Sequence, residues 1–203
     1  MCNAYKLKNS AAEVADLFSY AAHSQDNVGA EVYPGYPGLV YDGEAVRSMV
    51  WGFPLVLKSK RTGQPLKPKP VNNARTDMLD SGFWRANFRE RRCLIPLNAF
   101  AEAEGEKGKM TRTWLSVPGE PIFTCAGIWR DSAEWGPCYS MVMTDPCAQS
   151  AEVHDRMPVI LAAADRNQRM RGSDGDALAL CRPWAGELAI ERTEEPWVRR
   201  KRA

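Results

Sequence analysis

A chain of 203 residues with 44% hydrophobic and 26% charged residues has room for a sizeable core, and this composition excludes a disordered or low-complexity chain. Its 27 basic and 25 acidic residues leave a net charge of +2, but four of the bases form the run Arg199-Arg200-Lys201-Arg202. Without that run acids slightly outnumber bases, which excludes a nucleic-acid binder built on a global field; any such surface must be a local patch.

The six cysteines (Cys2, Cys93, Cys125, Cys138, Cys147, Cys181) contain no C-x-x-C pair, and only His23 and His154 could join them, so no metal site is expected. The start lacks a charged-then-apolar signal pattern, and no apolar run approaches the roughly 18 residues of a membrane span. These features predict a reduced, cytoplasmic protein with free thiols, no membrane association and no small-molecule cofactor.

In chain order, Met1-Cys2 comes first. A small second residue permits removal of Met1, which would leave Cys2 with an α-amine and a thiol on adjacent carbons. Such groups titrate near roughly 7.7–8.0 and 8.5. An aldehyde condenses with the amine to an imine, and the thiol then closes a thiazolidine ring. Ser10 and Glu13 have capping-box spacing ahead of Val14, Leu17, Phe18 and Ala21 at helical intervals, with His23 near the end where it can meet the last carbonyls. The segment 31–40 holds Pro34-Gly35 and Pro37-Gly38 and is extended. The alternation through Val46, Ser48 and Val50 into Trp51-Gly52 predicts a strand, with a turn at Pro54.

From 57 to 70 the chain is rich in Lys and Pro, an exposed semi-rigid loop with cations at Lys58, Lys60, Arg61, Lys67 and Lys69. That loop suits either phosphate tracking or simple solvation. Asn72-Asn73-Ala74-Arg75-Thr76 follows, then an aromatic helical patch with Phe83, Trp84 and Phe88. Further strands are expected at 91–97, where Pro96 suits an edge or a strand end, and at 114–117, 122–129 and 138–144. His154-Asp155-Arg156-Met157-Pro158 leads into the apolar run Val159-Ile160-Leu161; short helices follow at 165–170 and 176–181, and a last strand around Leu188 and Ile190. Many short strands with few helices predict an α+β fold, one domain over 1–203 built as a curved mixed or antiparallel sheet or open barrel with peripheral helices, ending in a short basic tail at 198–203.

Four separated stretches suit one site. Cys2 is the candidate nucleophile. Glu102 lies among Phe100, Ala101 and Ala103, where desolvation raises a carboxyl toward a useful acid–base value. His154 suits a second proton-transfer role, while Asn73 and Arg75 suit holding an oxygen or phosphate of a ligand. Each also has a plainer role: a strand-edge carboxylate, a core histidine, a surface ion pair.

The ordered set Met1-Cys2-Asn3, Trp51-Gly52, Asn73-Ala74-Arg75, Arg92-Cys93-Leu94-Ile95-Pro96 with Glu102 beyond it, and the stretch 154–161 resembles the SOS-response-associated peptidase family, the abasic-site processing proteins. The resemblance implies that Met1 is removed autocatalytically and that Cys2 traps the ring-opened aldehyde of an abasic site in single-stranded DNA as a thiazolidine crosslink, with lyase activity possible at the same site. It implies that Asn73 fixes the N-terminus or a sugar oxygen, that Glu102 assists amine deprotonation, and that His154 assists ring opening. Arg75 would contact phosphate, and Trp51 and Gly52, with Lys58 and Lys60, would belong to the DNA groove. Replication proteins are the partners implied beyond DNA. Two departures stand out: Asn3-Ala4 where many members have Gly-Arg, and Ala101 and Ala103 around the carboxylate, which bear on DNA affinity and lesion geometry. Two other readings compete: a thiol peptidase or amidase using Cys2 and His154, and a non-catalytic single-strand-binding module using Lys58, Lys60, Arg75, Arg85, Trp51 and Trp84.

Overall fold

Five strands of the computed structural model, which describes residues 2–19, 21–22 and 28–198, close on themselves, and their Val46, Trp51, Ile95, Phe123 and Tyr139 join one apolar cluster. Pro37–Tyr41 pairs antiparallel with Ala45–Trp51 and touches Arg92–Leu97 at Tyr41 and Leu94. Arg92–Leu97 pairs with Phe123–Ser132, and that strand with Gly136–Thr144. A parallel pairing of Cys138 with Val50 and of Tyr139 with Trp51 then joins the last strand back to the second. The α+β class holds, and the barrel is closed rather than open. The proline at position 96 stands one residue from its strand's end, where the missing N–H is tolerated.

A second, five-stranded sheet runs in the order Glu31–Val32, Ala4–Lys6, Ala99–Glu104, Thr111–Ser116, Ala189–Pro196. Strand alternation divides its residues between two faces. Tyr5, Phe100 and Leu115 enter the same apolar cluster as Val46, Ile95, Phe123 and Tyr139 of the barrel, so both sheets share one core. Ala4, Ala101 and Trp114 face the other way, with Tyr33 and Trp197 packed on them.

The helix Ala11–Phe18 begins on Ser10 with both halves of a capping box present and stops at Ser19, whose φ of 56° is left-handed. Ala21 therefore leaves the helical pattern; Ala21–Ala22 pairs parallel with Ala45 and Val46. His23 and the basic run at 199–203 lie outside the described residues. The turn expected at Pro54 occurs two residues earlier, at Gly52, whose φ of 117° and whose packing on Pro70 (2.5 Å from where a Cβ would stand) admit no side chain. Pro54 itself lies in the strand Phe53–Leu55, paired with Lys69–Val71. The lysine-rich segment is thus an exposed hairpin, bridged again at Lys58 and Pro65.

The aromatic patch packs inward. Trp84 and Phe88 are buried, Phe83 meets Trp84 edge-on at 4.5 Å, and Trp84 tilts against Phe53 at 5.2 Å. Only Arg85–Glu90 of this patch is helical. Inside the barrel the Tyr5 and Tyr139 hydroxyls share a 2.5 Å hydrogen bond over Gly38, whose missing Cβ would stand about 2 Å from both oxygens. No helix among the described residues is long and apolar enough to cross a membrane.

Candidate active site

The site is assembled where the first strand lies against the strand that carries Glu102. Ala4 pairs with Ala101, so the antiparallel register takes Cys2 and Asn3 alongside the residues that follow Ala101. Cys2 is wholly buried, and its thiol donates to the Ala4 carbonyl at 3.4 Å. Burial, with the Glu102 charge beside it, pushes the thiol far above its ordinary range.

The carbonyl of Cys2 accepts two hydrogen bonds, from Asn73 Nδ2 at 2.8 Å and Asn72 Nδ2 at 2.9 Å. The strand Asn73–Arg75 runs parallel to Gly136–Thr144, with Asn73 opposite Met141. The backbone of Asn72 is held twice, its carbonyl accepting from Met141 N at 2.9 Å and from Trp51 Nε1 at 3.1 Å. Trp51 is wholly buried between Tyr5 (5.1 Å, edge-on) and Tyr139 (6.4 Å, stacked). Its indole supports the floor of the site and presents no face to a strand, contrary to the surface role its sequence context suggested. Gly52 is buried next to it and donates to the Tyr139 carbonyl at 2.7 Å.

Glu102 is 2% exposed, and burial raises its carboxyl from 4.5 to about 7. His154 Nε2 stands 3.9 Å from Glu102 Oε2. Its Nδ1 accepts the Arg156 backbone N–H at 3.1 Å, which makes Nε2 the protonated nitrogen of the neutral ring. Desolvation lowers the imidazole pKa and favours that neutral form, while Asp155 Oδ1, 2.9 Å from Nδ1, pairs with the ring once protonated. The carboxyl therefore exchanges its proton near neutrality, beside an imidazole that burial holds toward its neutral form.

The rim carries charge of both signs. Arg75 is exposed and paired with Asp77, Nε to Oδ1 at 3.0 Å, and Arg156 is paired with Asp145. Lys58 and Lys60 stand in the exposed hairpin, whose root at Val71 leads directly into Asn72. The structure thus brings Cys2, Asn73, Glu102 and His154 together, with Arg75 one residue beyond the asparagine strand. Alternation puts Ala101 on the opposite face from Glu102, against Ala4 and Trp114, so that alanine does not line the carboxylate. Asn72 was not singled out from sequence. The available signal was an asparagine doublet at a strand start, a residue type depleted in strands unless its amide is used. Among the described residues no cluster of three or more His, Cys, Asp or Glu could hold a metal.

The fold is a closed barrel flanked by a second sheet, and the thiol of Cys2 is buried beside the carboxyl of Glu102, which in turn faces His154. The profile of the SRAP family, SOS response associated peptidase, matches residues 1–195, and the chain belongs to that family. Membership supports a function associated with DNA damage. A search among curated proteins finds no match. Among solved structures the chain is similar to a protein from Bacteroides thetaiotaomicron (TM-score 0.77, 19% identity, 94% of this chain and 91% of that one). It is also similar to a protein from Bordetella bronchiseptica (TM-score 0.77, 20% identity, 95% and 99%). A phage-related protein of Bordetella bronchiseptica matches as well (TM-score 0.69, 18% identity, 95% and 94%). At these identities the likeness shows the fold.

Proposed function

We propose that this protein captures abasic sites in single-stranded DNA as a covalent thiazolidine through Cys2, after removal of Met1. The observation that carries the reading is the fastening of the Cys2 carbonyl beside a buried carboxyl poised near neutrality. An α-amine has a pKa of roughly 7.7–8.0, close enough to Glu102 for efficient proton transfer at pH 7. Glu102 takes a proton from the ammonium, the free amine attacks the C1′ aldehyde, and water leaves to give the imine. Burial keeps the thiol protonated until that point. The thiol then adds across C=N, forming the C–S bond, and its proton passes to nitrogen. His154 exchanges the proton that opens the sugar hemiacetal to its aldehyde form. Arg75 and the hairpin lysines Lys58 and Lys60 contact phosphates, which gives affinity without sequence readout. On this reading the protein works in the cytoplasm and on the nucleoid when bound to DNA, near replication proteins that expose single strands.

The test is the intact mass after mixing with a single strand carrying one abasic site. The expected product is protein lacking Met1 joined to DNA with loss of one water, absent with Cys2→Ala and with an intact strand. Turnover of a peptide with no DNA adduct would favour the thiol peptidase reading; equal binding of intact DNA by Cys2→Ala with no adduct would favour the binding module.

A further inference from the structure

A single amide nitrogen, Asn72 Nδ2, makes two contacts at the start of the chain. One of its hydrogens goes to the Cys2 carbonyl at 2.9 Å and the other to Asn3 Oδ1 at 3.0 Å. Asn73 Nδ2 meets the same Cys2 carbonyl at 2.8 Å. The residue at the end of a chain normally frays, because nothing on its outer side restrains it. Here the carbonyl of Cys2 is saturated by two donors from one rigid strand start, and the donor nearer the surface has its orientation set by residue 3. With the carbonyl pinned, rotation about Cα–C places the amine and rotation about Cα–Cβ then places the thiol. Both N–H dipoles also point their positive ends at the carbonyl oxygen, so that oxygen no longer stabilises an adjacent ammonium.

We propose that Asn72 is a positioning residue: oriented by Asn3 and acting together with Asn73, it clamps the Cys2 carbonyl so that the Cys2 α-amine is held in place and biased toward its free-base, nucleophilic form. The inference rests on the reading of Cys2 as the amine–thiol nucleophile, and it assigns to Asn72 and Asn3 roles separate from those of Asn73, Glu102 and His154. Glu102, from the neighbouring strand, opposes the clamp, since its carboxylate favours the ammonium. On the segment before Met157, His154, Asp155 and Arg156 are the charged or titratable groups facing the site. From the core side Tyr5, Tyr139 and Cys125 adjoin Cys2, and burial keeps all three protonated. None of these groups is altered by substitution at Asn72 or Asn3.

The strands use only the backbone of Asn72, through Met141 N and Trp51 Nε1, so side-chain variants keep the fold. The experiment uses full-length protein verified to lack Met1, with acetaldehyde as a probe that has neither base nor phosphate. Its carbonyl condenses with the amine, water leaves, and the thiol adds to the imine carbon with its proton passing to nitrogen; intact mass follows the adduct with time. For wild type, Asn72→Ala, Asn72→Asp and Asn3→Ala the rate is measured from about pH 5 to pH 9. The loss of one donor to an uncharged acceptor predicts a neutral-pH rate roughly 3–10-fold lower for Asn72→Ala, with the pH midpoint moved upward. The isosteric Asn72→Asp, which replaces the donor by an anion, should move it further, and Asn3→Ala less. Midpoints that stay at the wild-type value in both Asn72 variants overturn the proposal, even where rates fall uniformly. A shifted midpoint in a protein that forms no adduct with abasic DNA supports the clamp and refutes the DNA reading. Adduct formation with DNA and unshifted midpoints does the reverse. A wild-type protein inert to acetaldehyde overturns both.

Discussion

Glu102→Gln should make the protein more stable while slowing its chemistry, and the gain should depend on pH. In the folded protein the Glu102 carboxyl keeps its proton until about pH 7, because burial disfavours the anion; unfolded, it releases it near 4.5. Between those values the folded state binds more protons than the unfolded one, so stability falls as pH rises from 4.5, and the loss is complete above about 7. Between pH 5 and pH 8 this amounts to about 2.5 kcal/mol, from the separation of the two pKa values at 1.36 kcal/mol per unit. Glutamine carries no charge and loses nothing over that range. His154 acts in the opposite sense, since its lowered pKa withdraws stability as pH falls below the ordinary value of 6.5. The assay is urea unfolding of wild type and Glu102→Gln at several pH values. The advantage of the glutamine protein should grow with pH by about 2.5 kcal/mol from pH 5 to pH 8. Parallel pH–stability curves would refute the reasoning, since they would mean that Glu102 ionises in the folded state as it does in water. On the proposed chemistry the same variant forms the DNA adduct roughly 10²–10⁴-fold more slowly, the usual effect of losing a general acid or base.

Gly38→Ala should destabilise the fold by about 2–4 kcal/mol, through overpacking and loss of the buried Tyr5–Tyr139 hydrogen bond. Adding Tyr5→Phe and Tyr139→Phe removes both crowded oxygens, and the urea midpoint should then recover at least half of the loss; no recovery would mean that the clash lies elsewhere. Lys58→Ser with Lys60→Ser should weaken single-strand binding and flatten its salt dependence by about 0.7 in slope per phosphate contact removed. An unchanged slope would remove the hairpin from the DNA surface. Purified protein from its native host should lack Met1 by intact mass; a retained methionine leaves the amine acylated, and imine formation stops there.

Much of the site was legible because its signals are local. The Ser10–Glu13 box acts within one helical turn, and the structure starts a helix there. Glu102 stands two residues from Phe100 on one strand face, a local pattern that points to burial, and burial raises its pKa; the motifs that name Cys2, Asn73, Glu102 and His154 follow one another in chain order. Pattern alone also indicated the many short strands of an α+β fold. It misjudged the helix end at Ala21 and the turn at Pro54, where a left-handed Ser19 and a left-handed Gly52 decide.

Legible in the order of residues is an inventory: a cysteine directly behind Met1, a carboxylate with apolar neighbours, an imidazole ahead of an apolar run, and a cationic segment with no acid from Leu57 to Pro70. Tertiary structure alone decided how these meet. The parallel pairing of Tyr139 with Trp51 closes the barrel and buries the indole, so a tryptophan that suits base stacking on paper becomes the support for Asn72. The same closure brings residues 72 and 73 onto the carbonyl of residue 2, about 70 positions away, and leaves room for two tyrosine hydroxyls only because Gly38 has no side chain. Capping, turn chemistry and local desolvation act over a few residues and leave a trace in the order of the chain. Barrel closure and the Cys2 clamp depend on which distant backbones run side by side, and no local pattern encodes that register.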